Sequence, residues 1–191
     1  MTIGMTGGIS AVTTVQVNWK ATGYGLVIHA GAGGRSGQRT PEEKAAIDHG
    51  LEAAFRAGED VLLKGGTAED AVCAAIVSME DCEEFNAGRG AALTSTGRAE
   101  LDASIMTDDG QAGAVAGSVG IRNPILAARK VMSETPHVLM IRPSLRQAKQ
   151  WGLRTEDSEY FIPETPPRQP KDIPRRHIPV QRPGPGGPVD I

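Results

Sequence analysis

The residues whose types and spacing could do chemistry lie together in Met79-Glu80-Asp81-Cys82-Glu83-Glu84-Phe85-Asn86-Ala87-Gly88-Arg89-Gly90. Before this stretch, Val72, Ala75, Ile76 and Met79 repeat at helical spacing, which predicts one apolar face of a helix ending near Glu80. Asp81, Glu83 and Glu84 then crowd the helix C-terminus, where the macrodipole is already negative, so the segment calls for positive charge or donors nearby. The turn that follows frees carbonyl oxygens, and these are the natural ligands of hard cations. Two readings stand side by side: a cation held by backbone carbonyls, or a solvated acidic helix end. Asn86 tolerates left-handed backbone and caps turns. With Phe85 before it and Gly88 and Gly90 after it, the spacing predicts an anchored turn with close backbone approach.

Other candidates carry less. Ala30-Gly31-Ala32-Gly33-Gly34 follows an apolar run, yet Ser36 occupies the third glycine position of a dinucleotide loop and no helix opens at Arg35 to Arg39, so a nucleotide site is disfavoured. His29 reads as a strand-end histidine, with catalysis the minor reading. Asp102, with an apolar neighbour on each side, reads as a hydrogen-bonded edge acid or an active-site carboxylate. Cys73 and Cys82 make no metal pattern and point modestly to a reducing, cytoplasmic setting.

The elements that must position these residues are marked in the sequence. Gly25 to His29 is expected as a short buried strand. Thr40-Pro41-Glu42-Glu43 is a capping box with Pro at the first helical position, opening a helix that buries Ile47, Leu51, Phe55, Val61 and Leu62 and ends at Gly65-Gly66. Thr67-Ala68-Glu69-Asp70 caps the next helix, which delivers the acidic turn. Short β-prone runs follow at Ala91–Thr94, Leu101–Met106 and Ala112–Val119. The last of these has little side-chain bulk, so another layer should approach it closely. Asn123-Pro124 offers an N-cap and first-position Pro for a helix to Glu134, Val138 to Ile141 reads as a strand, and Ser144 to Trp151 as a short helix. Strands and helices in this order suit sheet layers covered by helices, an α/β class.

The 191 residues carry 20 Lys and Arg against 23 Asp and Glu, a balance without the basic stripe a nucleic-acid partner needs. No apolar stretch is long enough to suggest a membrane span. Three segments result: an N-terminal extension over 1–24, a folded unit over 25–162, and a Pro-rich linker or tail over 163–191 in which regular structure is not expected.

The run Asp81 to Gly90, with Leu101-Asp102-Ala103-Ser104-Ile105-Met106 beyond it, closely resembles the plant-type L-asparaginase and isoaspartyl peptidase family of N-terminal-nucleophile hydrolases. Ile28 to Gly33, Gly113 to Gly117, and Arg122 to Arg129 with Pro136 to Met140 agree with that family in collinear order. The resemblance implies the N-terminal half of an αββα sandwich, completed by a separate β chain cut from the same precursor. That β chain would begin with the nucleophilic threonine, whose own amino group serves as base. The family's Gly-Thr-Val-Gly junction is absent from this sequence, so the chain is expected to be the α-subunit portion of an (αβ)2 enzyme acting on L-asparagine and β-aspartyl dipeptides.

Position by position, the resemblance implies that Asn86 supports the nucleophile. It also implies that the backbone carbonyls of Met79, Glu80, Cys82, Phe85, Ala87 and Arg89 hold a structural sodium ion. No cofactor for the chemistry is implied. Ala30 where the family usually has glycine, and Glu83-Glu84 where it has a more apolar, often Pro-containing pair, depart from the pattern. Two alternatives are an aspartylglucosaminidase-like amidase, and a truncated inactive remnant acting as a binding or assembly module.

Overall fold

A computed structural model of the chain describes residues 23–30 and 40–162. The glycine loop at 31–34, most of the N-terminal extension and the Pro-rich segment at 163–191 lie outside the described residues.

The two capped helical signals become two packed helices. Helix α1 (Pro41–Leu63) starts on Thr40, whose hydroxyl accepts the Glu43 amide while Glu43 returns a carboxylate to the Thr40 amide. Helix α2 (Ala68–Glu80) starts on Thr67 with the same reciprocal device, here closed by Asp70. Each box satisfies donors that a helix start leaves open. The buried side of α1 is formed by Gly50, Ala54, Phe55 and Gly58, with Ile47, Leu51, Val61 and Leu62 half-buried. On α2 the buried set is Ala71, Cys73, Ala75, Met79 and Glu80, so the inward face is rotated from the expected one and Val72 points out. Small residues dominate because α2 is enclosed from more than one side, and an apolar-only pattern cannot register a buried glutamate.

Strand β1 (Leu101–Met106) pairs antiparallel with β2 (Ala112–Ser118), and β2 pairs parallel with β3 (Leu139–Ile141), giving the order β1-β2-β3. Helix α3 (Pro124–Glu134) connects β2 to β3 and lies on one face of the sheet; a short α4 (Leu145–Gln150) follows on its Ser144 cap. Ile105, Val115, Ile125, Ala127, Ala128 and Val131 form the core between sheet and α3. A Cβ on Gly113 would strike the Ala128 carbonyl and the Met132 backbone, which is the close approach of a second layer that the low-bulk run anticipates.

Registry places Met106 beside Ala112, Ser104 beside Ala114, Ala114 beside Leu139 and Ala116 beside Ile141. Side chains alternate across a strand, so these residues share the sheet face opposite α3. On that face Met106 is 74% exposed, Leu139 51% and Ile141 73%.

Two strand expectations are corrected. Gly25 to His29 belongs to no strand: Leu26 is buried, but Val27 is 79% exposed, and no ladder partner is present among the described residues. Ala91 to Thr94 contributes one bridge, Leu93 to Ala99, because the Thr94–Gly97 turn reverses the chain at once. Among the described residues, no helix is long and apolar enough to cross a membrane.

Candidate functional site

Helix α2 ends on Glu80, and the acids there find the donors their position demands. Glu80 is 2% exposed, and its Oε1 accepts the Ile125 amide at 3.0 Å. The first amides of a helix lack intrahelical acceptors and carry partial positive charge, so α3 offers a partner that α2 lacks. Glu80 Oε2 is buried without a hydrogen bond, and burial pushes the carboxyl up to about 8 despite the Ile125 and Asn123 donors. The solvated reading fails for this residue.

Asp81 takes a bidentate Arg122 guanidinium, with Nε and Nη2 each at 3.1 Å. Asn123 Nδ2 and Tyr160 Oη donate to the same carboxylate at 3.1 and 3.2 Å. Burial raises the Asp81 carboxyl, but Arg122, Asn123 and Tyr160 outweigh it and hold it below the usual range. Asn123 therefore spends its side chain on Asp81 and makes no side-chain cap for α3, contrary to the N-cap expectation; Glu80 satisfies an α3 amide in its place. Arg122 Nη1 also reaches Glu156 at 2.8 Å, and its guanidinium lies 4.7 Å from the Tyr160 ring centroid.

The turn beyond is closed tightly. Phe85 is buried against α1, where a Cβ on Gly50 would collide with its ring. Gly88 has φ +49, and a Cβ there would strike the Glu80 carbonyl; one on Gly90 would strike the carbonyl oxygens of Phe85 and Glu83. Glycines thus line a cradle of main-chain oxygens. Of the other expected cation ligands, Met79 and Ala87 carbonyls already accept the Cys82 and Gly90 amides, which leaves each oxygen a second lone pair. Main-chain carbonyl oxygens are hard donors, so this set suits a hard cation in donor chemistry.

Asn86 is exposed, and its Oδ1 accepts the Ala92 amide at 2.7 Å, which spans the whole turn. Arg89 pairs with Glu83 at 2.5 Å. Asp102 Oδ1 accepts the Gly117 amide at 2.7 Å beside the bulge after Leu101, the hydrogen-bonded reading of that acid. Asp81 was expected to need donors and Asn123 to cap its own helix; that Arg122, Asn123 and Tyr160 are those donors, that Glu156 joins them through Arg122, and that the Glu80 side chain is buried, were not singled out from sequence.

The asparaginase family model matches residues 22–173, and the chain belongs to that family. It is 43% identical over 141 residues to a human isoaspartyl peptidase/L-asparaginase, covering 73% of this chain and 45% of the relative. It is 44% identical over 118 residues to a plant-type L-asparaginase of Thermococcus kodakarensis, and 42% identical over 118 residues to an isoaspartyl peptidase of Escherichia coli; the first alignment covers 61% of this chain and 37% of the relative. The chain thus spans less than half the length of these relatives. Family membership implies an N-terminal-nucleophile hydrolase fold, and the mixed α/β layer described above agrees with it.

Proposed function

We propose that this chain is the α-subunit portion of a self-processing amidohydrolase that releases aspartate from L-asparagine and β-aspartyl dipeptides. The sheet face that no described element covers carries the reading: Met106, Leu139 and Ile141 stand exposed on the side opposite α3, a face suited to a second sheet. A companion β chain from the same precursor supplies that sheet in an αββα sandwich, with two αβ pairs in the assembly.

The nucleophile belongs to the companion chain. Its N-terminal threonine gives the hydroxyl proton to its own amine and attacks the amide carbon; the C–N bond breaks to release ammonia or an amino acid, and water then frees aspartate from the threonyl ester. From this chain, Asn86 supports the nucleophile through the turn it closes onto Ala92. The carbonyls of Met79, Glu80, Cys82, Phe85, Ala87 and Arg89 hold a structural sodium ion that stiffens the same turn. Free Cys73 and Cys82 accord with a reducing, cytoplasmic setting.

The test is steady-state kinetics of the protein from its native source on a β-aspartyl dipeptide, on asparagine and on glycosyl-asparagine. Hydrolysis of the first two supports the proposal. Preference for the glycosylated substrate favours an aspartylglucosaminidase-like enzyme, and hydrolysis of none favours a binding or assembly remnant.

A further inference from the structure

Tyr160 sits in a single 3₁₀ turn, Ser158–Phe161, that straps across the acidic turn from the far end of the described chain. Its hydroxyl donates to Asp81, at the entrance to the turn. Its ring lies 4.7 Å from the Arg122 guanidinium and 5.6 Å from that of Arg89, at the exit. The neighbouring residue, Phe161, is buried against Ala91 and Leu101, and the two rings meet edge to face with centroids 5.1 Å apart. Arg89 and Ala91 are thereby gripped by consecutive aromatic residues, and Asn86 Oδ1 reaches the amide of Ala92, the next residue along. Arg122 ties the base of the strap to the same place, since it pairs with both Asp81 and Glu156.

We propose that Tyr160 is a positioning residue for the Asn86 turn: it fixes the turn's two ends, through Asp81 and Arg89, and so sets where Asn86 stands. The proposal deepens the hydrolase reading and rests on it for its effect on turnover, whereas its effect on the turn stands alone. A hydroxyl hydrogen bond and two cation–π contacts are separable, because phenylalanine keeps the ring and removes only the hydroxyl.

The experiment compares wild type, Tyr160→Phe and Tyr160→Leu of the full protein by amide hydrogen exchange, with kinetics on a β-aspartyl dipeptide alongside. In Tyr160→Leu, exchange at Ala92 should rise at least about tenfold, the loss expected of one hydrogen bond and two partly exposed cation–π contacts together. Amides in α1 should exchange at the wild-type rate, and Tyr160→Phe should fall between. Where the enzyme is active, kcat should drop about as much as the exchange rises while KM stays within about twofold, since a misplaced group costs transition-state binding first. Exchange that rises equally in α1, or not at all at Ala92, overturns the proposal. An inactive wild type defeats the hydrolase reading instead, and the exchange result still decides the role of Tyr160 in the turn.

Discussion

Glu80 accepts the backbone amide of Ile125 across 45 residues of sequence, at 3.0 Å, and so joins the end of α2 to the start of α3. An acid at the negative end of one helix accepts from a free amide at the start of another, which turns an unfavourable position into a structural tie.

That tie should make stability depend on pH. In the unfolded chain the Glu80 carboxyl ionises near its ordinary value of 4.5; in the folded chain burial keeps it protonated up to about 8. Between these values unfolding releases a proton, so stability falls as pH rises, by at most about 1.4 kcal/mol per pH unit from this group. The cost is absent below the window and complete above it. Chemical denaturation of Glu80→Gln in tetramethylammonium salts should show a shallower fall over that range than wild type, and parallel profiles would contradict the assignment.

Arg122 holds Asp81 and Glu156 together from a half-buried position. Removing it leaves Asp81 facing only Asn123 and Tyr160. Arg122→Leu should cost about 2 kcal/mol, between the range for exposed pairs and that for a broken buried pair, and should raise the pH at which acid unfolds the protein. The Asp81 carboxyl, held low in the fold, contributes stability that is lost as pH falls through its folded value, and without Arg122 that loss begins at higher pH. Equilibrium denaturation with an acid titration measures both.

The carbonyl cradle predicts a cation effect. Replacing tetramethylammonium by sodium at equal ionic strength should raise the melting temperature, because a ligand of the folded state stabilises by mass action. In Gly88→Ala the added methyl meets the Glu80 carbonyl at φ +49, so the protein should melt lower and lose its preference for sodium. Equal melting in both salts for wild type would remove the cation from the account.

Asn86→Ala should free the Ala92 amide while leaving the helices intact, since Asn86 is exposed and holds only the turn. On the hydrolase reading, turnover or self-cleavage falls by about a hundredfold, the scale of losing a positioned group. Unchanged rates would restrict Asn86 to shaping the turn.

The sequence was most informative where one residue decides one local event. Thr40 and Thr67 opened their helices as read, and β1 began and ended at Leu101 and Met106. It was least informative where a residue's partner lies far along the chain. Asn123 looked like a cap for its own helix because the Asp81 that takes its amide is 42 residues away. Gly25 to His29 looked like a strand because apolar content says nothing of whether a neighbour is present to complete a ladder. The turn at Asn86 was legible as a turn; the strap of Tyr160 over it depended on tertiary contact alone.

The central claim, an α portion working with a companion that begins in threonine, is tested most directly by the denatured intact mass of the protein from its native source, with N-terminal sequencing of every chain that copurifies. The account predicts a second chain whose first residue is threonine in each preparation that hydrolyses a β-aspartyl dipeptide. An active preparation in which no chain begins with threonine would contradict it.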